Sequence, residues 1–258
     1  MIERVNLVYS QFRLTLPQID EGTEMKLALV TGASKGIGKA VAEGLFDDGF
    51  SLALTARSSD KLEELKNALL SQNNSSGQDV AVYPLDIRDE DAIDKMIEDI
   101  KKKFQRIDLL FNNAGIFHKG TLDQSFEEFS DMLDINLKSA FLMLKKVVPV
   151  MQKQKSGTVI NLASRSGVHA KPRSGGYAAS KFGFVGLSEA VYRDVTADGV
   201  KVTALCPGWV DTDMASASGL DPKDMIQTSD IVSTVKWLHS LSPSACVNRI
   251  MMESIKQV

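Results

Sequence analysis

A small set of polar residues in this chain has the types and spacing to move a proton. Tyr177 and Lys181, in Tyr177-Ala178-Ala179-Ser180-Lys181, stand four positions apart, so on a helix they share one face. A phenol titrates near pKa 10 and a lysine ammonium near 10.4. A neighbouring cation favours the phenolate, so Lys181 is expected to draw the Tyr177 pKa down toward working pH. Tyr177 could then give a proton to a carbonyl oxygen or take one from an alcohol. Ser164 lies thirteen positions before Tyr177, where its hydroxyl could hold the substrate oxygen. Asn136, within Asp134-Ile135-Asn136-Leu137, and the run Asn112-Asn113-Ala114-Gly115 add amides. Taken singly, each also has a structural reading: Asn136 a buried amide, Ser164 a cap, the Asn pair a turn.

A second cluster stands near the start. Thr31-Gly32-Ala33-Ser34-Lys35-Gly36-Ile37-Gly38 follows an apolar run and precedes a helical pattern. Glycines let the backbone turn sharply and approach a ligand. The helix that follows directs free N–H groups and a positive dipole at that space, which suits a pyrophosphate. The spacing excludes the mononucleotide P-loop, because Ala33 and Ala40 stand where Gly and Ser/Thr are required. It is not Gly-x-Gly-x-x-Gly either; the pattern is Thr-Gly-x3-Gly-x-Gly. A tight strand–helix turn without a ligand is the plain alternative. The next strand ends Leu54-Thr55-Ala56-Arg57-Ser58. An NAD-type site carries a carboxylate there for the ribose 2′-OH. Arg57 can instead make charge-assisted bonds to a 2′-phosphate, and Lys35 adds a second cation nearby.

The elements that must hold these residues read as alternating strands and helices. Strands are expected at Lys26–Val30, Ser51–Thr55, Val80–Tyr83, Ile107–Phe111, Thr158–Leu162 and Val200–Leu205, with Arg249–Met252 as an edge strand. Helices are expected at Ile37–Asp48, Asp60–Ser71, Asp89–Phe104, Ser130–Lys153 (interrupted at Pro149), Gly176–Asp198 and Ser229–Leu241, with a polar loop at Asn73–Gly77. This order implies right-handed crossovers and a sheet covered on both faces. The fold class is therefore α/β: one doubly wound, mostly parallel, Rossmann-type domain over residues 25–258. Residues 1–24, punctuated by Pro17 and Gly22, are expected to be an N-terminal arm or an upstream-start extension. They lack the basic start and continuous apolar core of a signal peptide.

Composition bounds the partners. The 258 residues carry 30 Lys+Arg against 33 Asp+Glu, a formal net charge of −3, which argues against a nucleic-acid binder. No apolar run approaches the roughly 18 residues of a membrane span. Cys206 and Cys246 make neither a disulfide scaffold nor a metal site, and with His118, His169 and His239 they suggest no metal. A cytoplasmic setting is expected.

Together, the Thr-Gly-x3-Gly-x-Gly turn, Asn-Asn-Ala-Gly, Ser164 and Tyr-x3-Lys, in this order, resemble the short-chain dehydrogenase/reductase family over roughly Lys26 to Met214. The resemblance implies Tyr177 as general acid/base, Lys181 as its partner on the nicotinamide ribose, Ser164 orienting the carbonyl, and Asn136 supporting a water-linked proton relay. It implies Gly32, Ser34, Lys35, Gly36, Ile37 and Gly38 around the phosphates, Asp86 at the adenine and Asn113 at the adenosine ribose. Pro207, Gly208, Val210 and Thr212 would hold the nicotinamide amide. With Arg57 the resemblance is to NADP-preferring members, among them carbonyl reductases and 3-oxoacyl-carrier-protein reductases. A non-catalytic dinucleotide-sensing regulator on the same fold is the rival reading. The substrate is expected to be a small-molecule or carrier-linked carbonyl. The last strand lacks the glycines that serve a tetramer interface in those reductases, so a homodimer through two long helices is expected. Between Thr212 and the last helix, Ala215 to Gly219 is small and polar, and a mobile lid over a shallow site is expected. Arg165, His169, Lys171 and Arg173 form a basic loop without an acid, expected to be solvated.

Overall fold

Leu27–Thr31 (β1) is buried along its whole length because both of its faces are covered. Leu27 and Leu29 enter one hydrophobic layer, Ala28 and Val30 the other, as the two-residue period of a strand requires. The computed structural model describes residues 25–72 and 77–257. Residues 1–24, and 73–76 of the expected polar loop, lie outside the described residues.

From β1 the chain runs through Gly36–Asp47 (α1), Ser51–Ala56 (β2), Ser59–Gln72 (α2), Val80–Pro84 (β3), Glu90–Phe104 (α3) and Leu109–Asn112 (β4). It continues through Phe126–Leu133 (α4), Ser139–Gln154 (α5), Gly157–Leu162 (β5), Gly175–Val195 (α6), Val200–Pro207 (β6), Thr228–Ser240 (α7) and Arg249–Met252 (β7). The sheet order is β3-β2-β1-β4-β5-β6-β7, and every pairing is parallel. The expected single doubly wound α/β domain is the fold found. Helices α1, α2 and α7 cover one face; α3, α5 and α6 cover the other. The chain steps outward from β1 to β3, then returns to place β4 on the other side of β1. That reversal opens a crevice at the carboxyl ends of β1 and β4. Among the described residues no helix is long and apolar enough to cross a membrane.

The start of the sheet is pinned by a buried charge. Asp108 accepts from the Leu27 N–H at 2.8 Å and from Arg106 Nη2 at 2.6 Å, so β1 and β4 begin in register.

The long helix departs from expectation at both irregular points. It begins earlier, at a capping box in which Ser125 accepts from Glu128 N–H and Glu128 accepts from Ser125 N–H. It is not broken at Pro149, which lies inside α5. Pro149 faces solvent, where water can serve the carbonyl that a proline cannot bond. The real irregularity is a π-turn over Asp134–Lys138 between α4 and α5, and Asn136 sits in it.

The segment after Thr212 is better anchored than its composition suggests. It forms two short 3₁₀ turns, Asp213–Ser218 and Pro222–Asp224. Ala215, Met225 and Ile226 are buried. Ile226 pairs with Val210: Asp211 N–H donates to Ile226 O at 2.9 Å, and Ile226 N–H donates to Trp209 O at 3.0 Å. The Ser254 hydroxyl also donates to Asp224 O. The expectation of a wholly mobile lid overlooked Met225 and Ile226, which sit beyond the small residues. Hydrogen exchange on the cofactor-free protein should show slow amides at Asp211 and Ile226 and open-loop rates at Gly219. Uniformly fast exchange over 211–226 would contradict the anchoring.

Candidate active site

The glycine turn is held by β4. Thr31 Oγ1 accepts from the N–H groups of Asn113 and Ala114, at 2.8 and 2.9 Å. Asn113 Nδ2 donates back to Thr31 O at 2.7 Å and to Gly32 O at 3.2 Å. A Cβ on Gly38 would stand 2.3 Å from Gly32 O and 2.6 Å from Asn113 Nδ2. Gly32 holds φ +65° with a would-be Cβ 2.7 Å from the same nitrogen. These two glycines let α1 close onto the turn. Ala33 N–H donates to Thr55 O at 3.2 Å, which fixes the turn to β2 as well. Asn113 therefore shapes the turn through its side chain, in addition to lying where a ribose contact is expected.

The start of α1 is open to a ligand. Lys35, its N-cap, makes no side-chain cap bond, whereas Asp89 caps α3 and Ser125 caps α4. The first N–H groups of α1 are thus left for another acceptor. Ser34 is half-buried, and Ile37 packs into the core layer below. Across the turn, Thr212 Cγ2 is 3.4 Å from the place a Cβ of Gly36 would take. Pro207 ends β6, Gly208 N–H donates to Met252 O, and Val210 is buried. The fold thereby brings 207–212 to face the glycine turn. An uncapped helix start, glycines against backbone and a facing threonine fit the phosphates and amide of a dinucleotide.

At the second strand, Arg57 is exposed and makes no hydrogen bond or ion pair among the described residues. Asp86, just after β3, is gripped by Arg88: Nε to Oδ1 at 3.0 Å and Nη2 to Oδ2 at 2.6 Å. That grip, with a weaker pull from Arg57, holds the Asp86 carboxyl below its ordinary range. Lys35 departs from expectation: its ammonium pairs with Asp213 at 3.3 Å. Both side chains are exposed, so this pair is weak and exchangeable.

Ser164, Tyr177 and Lys181 meet where β5 ends and α6 begins. Ser164 Oγ accepts from Ser166 N–H at 3.0 Å, as an N-cap does. Its own proton is then free for the Tyr177 phenol, whose pKa Ser164 draws down. Lys181 Nζ, buried, donates to Leu162 O at 2.9 Å and lies 5.8 Å from the Tyr177 ring centre. Phe117 meets Tyr177 edge-on at 5.1 Å. Burial pushes the Tyr177 pKa up, and only the Ser164 bond pulls it down. Burial lowers Lys181 to about 8. The expected lowering of Tyr177 by Lys181 is therefore not found. The ammonium is tied to a carbonyl, at a distance from the phenol, and is itself penalised by burial.

Asn136 is fully buried. Its Oδ1 accepts from Ile116 N–H at 2.8 Å, and its Nδ2 donates to Ile116 O and Ser180 Oγ, both at 3.0 Å. Ser180 in turn donates to Tyr177 O at 2.8 Å. The side chain thus fastens the segment after β4 to α6. The π-turn leaves a backbone carbonyl without its usual i+4 donor. Residues unassigned from sequence complete the scaffold. Asn112 Nδ2 donates to Ala140 O at 3.1 Å and Asn161 Oδ1 at 3.2 Å, and Asn161 Nδ2 donates to Ser188 Oγ at 3.0 Å. The one available signal was polar residues inside otherwise apolar strands. The basic loop is not simply solvated: Arg165 pairs with Glu253 at 2.8 Å, Arg173 with Asp123 at 3.0 Å, and Lys171 lies 5.1 Å over Trp209.

Comparison with known proteins agrees with this arrangement. The short chain dehydrogenase family model matches residues 26–223. A 3-oxoacyl-[acyl-carrier-protein] reductase, FabG, of Staphylococcus epidermidis is 35% identical over 227 residues, covering 83% of this chain and 91% of that protein. A crystal structure of a betaketoacyl-[ACP] reductase from Bacteroides thetaiotaomicron superposes with TM-score 0.80 at 37% identity, covering 91% of this chain and 98% of that one. An alcohol dehydrogenase from the archaeon Thermococcus sibiricus, complexed with 5-hydroxy-NADP, gives TM-score 0.83 at 30% identity, covering 91% and 99%. This chain belongs to the short-chain dehydrogenase family and is an oxidoreductase acting between carbonyl and alcohol.

Proposed function

We propose that the protein is an NADPH-dependent carbonyl reductase, reversible, with Tyr177 as general acid/base. The observation that carries this reading is the convergence of Ser164, Tyr177 and Lys181 beside a glycine turn whose nearest strand-end cation, Arg57, makes no hydrogen bond or ion pair among the described residues. A bound nicotinamide supplies or accepts the hydride. Gly32, Ser34, Gly36, Ile37 and Gly38 surround the phosphates, Asn113 and Asp86 line the adenosine, and Pro207, Gly208, Val210 and Thr212 flank the nicotinamide. Arg57 takes the 2′-phosphate, and Lys35 joins it at little cost by leaving Asp213. The alcohol dehydrogenase neighbour's 5-hydroxy-NADP is in keeping with that choice.

In the reducing direction, Ser164 orients the carbonyl oxygen beside the phenol. Tyr177 keeps its proton at neutral pH because burial raises its pKa, so it is in the form that an acid requires. Its proton passes to the developing alkoxide. A polar ligand beside Lys181 relieves the burial penalty and strengthens its charge, which then stabilises the phenolate left behind. Asn136 acts as a positioning residue through Ile116 and Ser180.

The substrate class is a small-molecule or carrier-linked carbonyl. The relatives named as acyl-carrier-protein reductases support the carrier-linked branch. The mutual neutralisation of Arg165 and Glu253, and of Arg173 and Asp123, leaves this loop less free positive charge for an acidic carrier than its composition alone would give. A non-catalytic sensor has no need of the three assembled proton-transfer groups. Helices α5 and α6 present the half-exposed Phe141 and Phe182, which supports a homodimer through those helices. Free Cys206 and Cys246 fit a cytoplasmic setting.

NADPH oxidation screened against ketones, quinones and acyl thioesters tests the reading. With any substrate so found, Tyr177→Phe should lose on the order of a hundred- to ten-thousand-fold in turnover while binding NADPH nearly normally; unchanged turnover would refute the assignment. Arg57→Ala should weaken NADPH by about ten- to a hundredfold and leave NADH almost untouched, measured by titration calorimetry. Equal losses would move Arg57 to a structural role. Lys181 also predicts a pH effect on stability. It releases its proton near pH 8 when folded and near 10.5 when unfolded. Between these values the unfolded chain binds more protons, so this residue makes the fold gain stability as pH rises from about 8 to 10. Lys181→Met should remove that rise in urea-unfolding curves; a rise of unchanged size would contradict the burial argument.

A further inference from the structure

Resting on the cofactor reading above, we infer that Arg88 is a positioning residue for cofactor choice: it masks Asp86 so that Arg57 remains available to a 2′-phosphate. The sheet register sets up the problem that Arg88 solves. Strands β2 and β3 run parallel with Ala56 opposite Pro84, and Leu85 N–H donates to Ala56 O at 3.0 Å. Arg57 and Asp86 therefore emerge side by side at the same end of the sheet. A carboxylate and a guanidinium so placed attract each other. Pairing them would hide the cation, and an uncovered carboxylate there would repel a phosphate.

Neither arrangement is present. Asp86 Oδ1 accepts from the backbone N–H of Arg88 at 3.0 Å and from its Nε at 3.0 Å, and Oδ2 accepts from Nη2 at 2.6 Å. The planar fork of arginine meets both carboxylate oxygens at once, which a lysine cannot do. The far side of the same guanidinium reaches Asp131 Oδ1 on α4 at 3.4 Å, so Arg88 is steadied from both ends. Asp86 is thereby engaged two residues along its own chain, and Arg57 is left with no hydrogen bond or ion pair among the described residues. The charge of Arg57 still acts on Asp86, which places the two within electrostatic reach and makes the competition real. Asp89, next in sequence, is occupied at the α3 N-cap, where it accepts from Ala92 N–H at 3.0 Å.

The quantity to measure is the ratio of NADH to NADPH dissociation constants, by calorimetry on the full chain at low ionic strength, where surface charges are least screened. This ratio cancels any general loss of folding or adenine binding. Arg88→Gln should lower it about tenfold. Adding Asp86→Asn to that variant should restore it, and Arg88→Lys, which keeps the charge but not the fork, should fall between Arg88→Gln and the starting value. Asp86→Asn alone should leave the ratio at or above its starting value. An unchanged ratio in Arg88→Gln, a fall not reversed by Asp86→Asn, or a fall in Asp86→Asn alone would each overturn the inference. Arg57→Ala separates the two levels of argument. If it collapses the ratio while Arg88→Gln does not, only the masking role falls. If it leaves the ratio intact, the 2′-phosphate reading falls, and the masking role with it.

Discussion

The clamp between Thr31 and Asn113 is the interaction on which the rest of this structure depends. Neighbouring parallel strands that end at a topological switch diverge, and nothing in sheet pairing alone holds their ends at a set distance. Here one hydroxyl accepts two N–H groups from the β4 end, and one side-chain amide returns two donors to the β1 end. The clamp sets the width of the crevice and the path of the glycine turn. The missing Cβ atoms of Gly32 and Gly38 follow from it, because both would collide with the same Asn113 nitrogen. Glycine conformational freedom and close approach are therefore needed for the turn to exist, before any ligand arrives.

From that clamp a buried polar chain runs through the sheet to the proton-transfer residues. Asn112, Asn161 and Ser188 join β4, β5 and α6; Asn136, Ser180 and the Tyr177 carbonyl join the π-turn to α6. Each buried amide finds partners, as burial demands. Such a network resists small displacements, since shifting one member strands a polar group in a dry interior. Ser164 caps its turn by accepting the Ser166 N–H, which leaves its own proton for the phenol whose pKa it lowers.

Burial has opposite consequences for the two titrating groups. It keeps Tyr177 protonated and makes the Lys181 charge costly. Burial therefore shifts both groups toward their neutral forms, although Lys181, at about 8, still carries its proton at neutral pH. At the ends of β2 and β3 the charges are set by pairing instead of burial, because Arg57, Asp86 and Arg88 all retain contact with water.

The sequence by itself determined the order of elements, the parallel doubly wound sheet, the glycine turn and the identities of Ser164, Tyr177 and Lys181. These are legible because they rest on local patterns: two- and 3.6-residue apolar periods, glycine spacing, and residues near in the chain. Only the tertiary structure decided where long-range partners fall. It turned Pro149 to solvent, put the irregular turn at Asn136, buried Met225 and Ile226 against Val210, and paired Arg165 with Glu253 across 88 positions. It also reversed the expected pull on Tyr177, because a pKa depends on distance and desolvation, and neither is written in a four-residue spacing.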